Sequence, residues 1–244
     1  MDPLSDSDLL RIKKESLQIL RDRGFTIPDN ELPILEDEDI TINQFKSIYL
    51  EAKDDIYQPL YNFISRKIIF RSFMSNIYQR PKSNCLVFFA EPEEKTDKKI
   101  SNDQLADFCR LIIETKVEEA ILISNVSASS AVSSLCGEGS KGLNKVYIQF
   151  FTDDELLYNP LEHVFVPKHR IISDKEVKEL KETDKINLSQ LPKISKFDPV
   201  CKRMGADEND VIEIIRKVLI KDSLVEEELS YRVVFTPRIE KARK

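Results

Sequence analysis

Glycine is scarce in this sequence, with five residues in 244. A phosphate loop needs clustered glycines that let the backbone approach an anion, so no glycine-rich nucleotide-binding loop is available. Cysteine is equally thin. Cys85, Cys109, Cys136 and Cys201 lie far apart, which excludes a Cys-x-x-Cys metal or redox motif. Residues 1–8 are polar and acidic, without the apolar core of a secretory leader, and with the scattered cysteines they lead us to expect a reduced intracellular compartment. No apolar run approaches the roughly 20 residues of a membrane span, so no membrane partner is expected. An excess of positive charge is missing too. The chain carries 37 Lys and Arg against 43 Asp and Glu; residues 161–244 hold 18 and 16 of these, leaving residues 1–160 with a net charge of −8. Proteins that hold DNA by many phosphate contacts are not charged that way.

What is present is a 41% hydrophobic chain long enough for one large or two modest cores, and the charge asymmetry favours two. Ser5 with Asp8 three residues on, followed by Leu9, Ile12, Leu17 and Leu20, predicts a capped amphipathic helix that Gly24 ends. Residues 28–39 read as an acidic loop, and Thr41 caps a second helix with Phe45, Ile48 and Tyr49 on one face. Residues 52–80 interleave Tyr57, Tyr61, Phe63, Phe70, Phe73 and Tyr78 with Arg66, Lys67, Arg71 and Arg80. That pattern is compatible with base stacking plus phosphate contact, but helix and strand packing with a solvated basic edge is the better expectation. Residues 85–90 and 120–123 are continuous apolar runs on either side of a helix capped by Ser101, the signature of a parallel crossover. A short Ala/Ser helix over residues 128–136, closed by Gly137, and a strand over residues 146–151 follow.

The second part is organised by two runs, HVFVPKHRIIS at residues 163–173 and QLPKISKFDPVCKRMGA at residues 190–206. Val164, Phe165 and Val166 read as an extended strand stopped by Pro167, and Lys168, His169 and Arg170 as a basic turn. Ser173 with Glu176 opens a helix through about Glu182, and a proline-bounded loop leads from it to the next helix. Asp198 at the cap, Pro199 at the first helical position and Gly205 after the end define a helix over residues 199–204. Residues 211–215 and 231–235 are β-rich and should pair with each other and with the Val164 strand. Residues 217–229 read as their long connection.

VPKH before a Ser-capped helix, then LPKI, DPVCKRMG, VIEIIR and SYRVVF, resembles the carboxy-terminal assembly domain of the fifth-largest subunit shared by eukaryotic nuclear RNA polymerases, a domain with a counterpart in the archaeal enzyme. RDRGF (residues 21–25), ELP (residues 31–33), INQFKSIY (residues 42–49) and SNVSASS (residues 124–130) agree with the jaw domain that the eukaryotic subunit carries and the archaeal one lacks. The resemblance covers most of the chain except about residues 52–83 and the last nine. It implies an α+β protein: a small α/β jaw domain over residues 1–158, an α+β assembly domain with a small mixed sheet over residues 159–235, and a basic tail over residues 236–244. It implies a non-catalytic subunit of a DNA-directed RNA polymerase, with no cofactor, that docks on the largest subunit among other polymerase subunits. The implied assembly surface is His163, Val166, Pro167, Lys168, His169, Arg170 and Arg232, with Pro192, Asp198 and Pro199 fixing its shape. The implied approach to downstream duplex DNA is by Ser127, Ala128, Ser129 and Ser130. A nuclear location follows, or a cytoplasmic viral factory if the polymerase is viral.

Two catalytic or metal readings compete. Glu93-Glu94-Lys95 after the strand at residues 85–90 has the carboxylate-x-Lys spacing of Mg-dependent nucleases, which makes such a nuclease on the first domain the alternative function; no upstream carboxylate for the same metal is identifiable. His163, His169 and Cys201 as zinc ligands match no structural zinc spacing.

Overall fold

A computed structural model describes residues 5–51, 70–90, 99–136, 146–183, 185–220 and 224–237. The chain divides into two compact units, Met1–Tyr158 and Asn159–Lys244.

In the first unit, helix α1 (Asp6–Asp22) starts in a reciprocal capping box between Ser5 and Asp8. It ends at Gly24, whose φ of 82° lets the Phe25 N–H reach back to the Leu20 carbonyl at 2.9 Å. That turn sends Phe25 into the core and ties Thr26 to Gln79. The segment expected to be an acidic loop instead contains helix α2 (Leu32–Glu36), because Pro33 suits a first turn and Ile34 and Leu35 bury. Helix α3 (Ile42–Glu51) follows, its Thr41 hydroxyl accepting the Gln44 N–H as expected.

A 3₁₀ turn (Phe70–Met74) leads into strand β1 (Asn76–Arg80), and then come β2 (Ser83–Ala90), α4 (Asn102–Thr115), β3 (Glu119–Ser124), α5 (Ser130–Cys136), β4 (Tyr147–Thr152) and α6 (Asp153–Leu157). The sheet order is β1-β2-β3-β4, with β1 antiparallel and the rest parallel. Both faces are covered, which is why β2 and β3 read as unbroken apolar runs. Val87, Phe89, Ile121 and Ile123 face the core that holds Ile12, Leu17 and Leu20 of α1 and Phe45 of α3. Leu86, Phe88, Leu122 and Ile148 face Phe108, Leu111 and Ile112 of α4 and Val132 of α5.

The second unit has helices α7 (Asp174–Glu182) and α8 (Pro199–Met204), and strands β5 (Lys168–Ile171), β6 (Lys193–Ser195), β7 (Val211–Ile220) and β8 (Leu224–Phe235) in the order β5-β7-β8-β6. One face of this mixed sheet packs Ile212, Ile214, Val234 and Ile194 on Cys201 and Ala206. On the other, Val211 packs with Leu180 and Ile172. The architecture is α+β overall, with the first unit a small α/β layer structure.

Three expectations for this unit are corrected. Residues 164–166 form a turn rather than a strand, and the residues expected to turn, Lys168 to Arg170, are β5. The physical reason is Pro167, which has no N–H for a ladder, so pairing with β7 begins only after it. LPKIS is not only loop: Lys193–Ser195 pairs in parallel with β8. Finally, most of residues 217–229 is not a loop, since β7 and β8 stay in register out to Ile220 and Leu224.

Candidate functional site

Pro167 organises the surface around the VPKH run. Ahead of it the chain folds into a tight turn: the Val166 N–H donates to the His163 carbonyl at 2.9 Å, and the Phe165 N–H to His163 Nδ1 at 3.2 Å. After it, His169 Nδ1 lies 2.7 Å from the Pro167 carbonyl. A carbonyl only accepts, so Nδ1 carries the hydrogen and the ring is fixed by its own chain. Lys168 is exposed on the edge strand opposite Ile215.

Arg170 is tied inward. Its Nη1 donates to Glu176 at 2.6 Å, and its Nε and Nη2 to Glu213 at 3.1 and 2.9 Å. Glu176 also accepts from the Ser173 N–H at 2.7 Å, closing the capping box of α7. These bonds, the backbone donor first and then Arg170, hold the Glu176 carboxyl down at about 2. Arg170 therefore links β5, β7 and the start of α7, and its charge is already matched.

Helix α8 is fixed at both ends. Asp198 Oδ1 accepts from the Val200 N–H at 2.9 Å, while Gly205 at φ 72° lets the Ala206 N–H reach the Cys201 carbonyl at 3.0 Å. The Cys201 thiol, buried in this core, is pushed up to about 12 by desolvation. Helix α8 packs against β5 and the 3₁₀ turn Pro160–Glu162, so Asp198 and Pro199 belong to the same neighbourhood as the VPKH run. Arg232 lies in a cross-sheet row with Ile212 and Ile171. Pro192 does not join them. Its carbonyl accepts from Val233 beside β6, at the sheet edge opposite β5.

Val164 and Phe165, expected as strand residues, are instead 92% and 88% exposed at the tip of the turn. The stop at Pro167 was visible in sequence; the turn ahead of it and its outward direction were not.

In the first unit, Ser127, Ala128 and Ser130 are exposed and Ser129 is half-buried, in the loop leaving the carboxyl end of β3. The helix starts two residues later than expected. Ser129 is its cap, the hydroxyl accepting from the Val132 N–H at 3.3 Å, so Ala128 lies outside the helix. At the same end of the sheet Arg71 is buried rather than on a solvated edge. It grips Asp153 through two bonds of 2.7 and 2.5 Å and the Ala90 carbonyl through a third of 3.1 Å. Arg80 is likewise engaged, with Glu119, Ser83 and the Arg23 carbonyl, and its guanidinium sits 4.5 Å from the Phe25 ring centroid. Tyr78 is buried. The remaining aromatic and basic residues of the segment, from Tyr57 to Lys67, lie outside the described residues, as do Glu93, Glu94, Lys95, Gly137 and the tail beyond residue 237. Among the described residues no three His, Cys, Asp or Glu side chains are grouped to hold a metal ion, and no helix is long and apolar enough to cross a membrane. Cys201 faces a hydrophobic core, and His163, His169 and Cys201 are not grouped among the described residues, so the imagined zinc trio is not assembled.

Residues 158–234 match the family model described as RNA polymerase Rpb5, C-terminal domain. Over 218 residues, 88% of this chain and 92% of the relative, the chain is 28% identical to the DNA-directed RNA polymerases I, II, and III subunit RPABC1 of Caenorhabditis elegans. The corresponding subunit of Dictyostelium discoideum is 26% identical over 85% of this chain and 89% of its own length. The DNA-directed RNA polymerases IV and V subunit 5B of Arabidopsis thaliana is 24% identical over 91% and 87%. The second unit thus matches the Rpb5 carboxy-terminal domain model, and the chain over most of its length is similar to the Rpb5-type subunits of DNA-directed RNA polymerases.

Proposed function

We propose that this chain is a non-catalytic subunit of a multisubunit DNA-directed RNA polymerase, acting in transcription in the nucleus. The observation that carries this reading is the family match over residues 158–234 joined to similarity across most of the remaining chain. In this reading residues 159–235 dock on the largest subunit through His163, Val166, Pro167, Lys168 and His169, with Arg170, Asp198 and Pro199 holding that surface in shape. Arg232 extends it onto the sheet, while Pro192, at the opposite sheet edge, shapes the β6 side instead.

Residues 1–158 form part of the jaw that guides downstream duplex, with Ser127, Ala128, Ser129 and Ser130 approaching phosphate. An acidic jaw positioned by protein contacts meets DNA through a few N–H and hydroxyl donors, and so does not grip a duplex that must translocate. Two experiments test this. Purification of a tagged full-length chain, followed by mass spectrometry, should recover polymerase subunits at equal stoichiometry. A photo-crosslinker at residue 128 should then label downstream template in the assembled enzyme, while the free chain binds the same duplex weakly. Absence of polymerase subunits sinks the reading, and absence of the crosslink removes the loop from the DNA path.

A further inference from the structure

We infer that Arg71 and Asp153 are positioning residues for the loop at residues 125–129, holding it at the angle from which Ser127–Ser130 meet downstream duplex. This rests on the jaw reading above and goes beyond it by naming what aims the loop. Ala90, Ser124 and Thr152 form one cross-sheet row at the carboxyl ends of β2, β3 and β4. The loop leaves from the middle of that row, at Ser124. Arg71 ties the two flanks together. Its Nε donates to the Ala90 carbonyl on β2, and its Nη1 and Nη2 donate to Asp153, the residue after Thr152 of β4. Its guanidinium also lies over the Phe89 ring at 5.7 Å, and both charged residues are buried. One rigid fork therefore brackets the end of β3 from both sides.

The loop does not hold its own base. The Val126 N–H donates to the Ser124 hydroxyl at a long 3.4 Å, and Asn125 Oδ1 is buried with no hydrogen-bond partner among the described residues. A loop free to swing would turn that oxygen to water, since a buried unpaired acceptor is costly. The ends of the neighbouring strands must fix it, and Arg71 joins them. The 3₁₀ turn carrying Arg71 leads into an anchored segment, as the Met74 carbonyl accepts from buried Lys13 at 2.8 Å and the Ser75 hydroxyl from the Phe89 N–H at 3.0 Å. A buried ion pair adds little stability over a well-packed apolar pair, so geometry is the property that this one supplies.

The test separates aim from fold. Arg71→Lys keeps the charge but replaces a three-bond fork by a point charge, and Arg71→Met/Asp153→Leu replaces the pair by apolar side chains. Both full-length variants should keep their thermal unfolding midpoint within about 5 °C of wild type. Spin labels carried by unnatural amino acids at position 128 and at position 114, exposed on α4, should give a distance distribution at least about twofold broader in either variant than in wild type. Labels at positions 114 and 22, a pair that leaves out the loop, should show no change. In polymerase holding each variant at wild-type stoichiometry, the crosslink from residue 128 to downstream template should fall at least about fivefold.

An unchanged distribution between 114 and 128 overturns the inference, as does equal broadening between 114 and 22, which would mean general loosening. If both variants unfold, the pair determines the fold rather than the aim, and the inference fails. A full crosslink from a broadened loop also overturns it, because the aim would then not serve DNA. If the wild type itself gives no downstream crosslink, the DNA reading fails, while the distance measurement still decides whether Arg71 aims the loop.

Discussion

Lys13 is fully buried with Glu31, 3.0 Å away. Its ammonium has three hydrogens, and the structure supplies three acceptors: Glu31, the Met74 carbonyl at 2.8 Å and the Tyr78 hydroxyl at 2.7 Å. Tyr78 and Tyr49 in turn donate to Glu31 at 2.7 and 3.1 Å. Burial pulls the Lys13 pKa down and the Glu31 carboxylate pulls it back up, with burial the larger effect. Removing one partner leaves the other as an uncompensated buried charge, so Lys13→Met should cost about 3–5 kcal/mol. The Lys13→Met/Glu31→Gln pair should recover much of that. Urea unfolding of the two variants measures it, and a double variant no better than the single would show that the charge pairing is not what matters.

Glu176 gives a pH signature. Its carboxyl is held at about 2 against an ordinary 4.5. A carboxyl depressed in the folded state stabilises above its unfolded pKa and loses that contribution as pH falls through the folded value. The melting-point gap between wild type and Glu176→Gln should thus be full above pH 4.5 and vanish near pH 2. A gap that stays constant from pH 6 to about 2 would mean that the ionised carboxylate is not the source.

Among the elements, α1 and α8 are specified by what stands at their ends. Nothing lies within 4 Å of the position a Cβ would take on Gly24, so Gly24→Ala meets no clash. Its cost should be the backbone cost alone, about 1–2 kcal/mol for a left-handed residue with a side chain. Gly24→Asn should cost less. Thermal unfolding of the pair distinguishes this from a packing role, which would make the larger Asn worse. For α8, Asp198→Ala should lose about 0.5–2 kcal/mol, with Asp198→Ser nearly neutral, as for other helix caps. These ends were legible because capping is local chemistry. Helix α2 was not, since its five residues show no full period and its reason for folding is the burial of Ile34 and Leu35.

For the molecule as a whole, each unit closes a core of its own. Among the described residues of 159–237 there are four strands, two capped helices and two apolar clusters. Expressed alone they should unfold in one cooperative transition with dispersed amide resonances; a non-cooperative melt with collapsed dispersion would show that the second unit needs the first. The exposed Val164–Phe165 turn should leave this fragment more prone to self-association than its Val164→Ser/Phe165→Ser variant, which light scattering reads directly.

By itself the sequence determined the ends of α1 and α8 and the cap of α7, the buried strands at residues 85–90 and 120–123 and the order of motifs from VPKH to SYRVVF, because each depends on residues within one turn or one strand of each other. The tertiary structure decided what depends on distant partners. It moved the strand from Val164 to Lys168, since β7 offers a ladder only beyond Pro167. It paired Lys193–Ser195 with β8 and extended the β7–β8 ribbon into an expected loop. It drew Arg71 inward to Asp153, 82 residues away, where its spacing among aromatics had suggested a solvated edge. And it turned Val164 and Phe165 outward, which no local pattern could reveal, because exposure is a property of what the rest of the chain leaves uncovered.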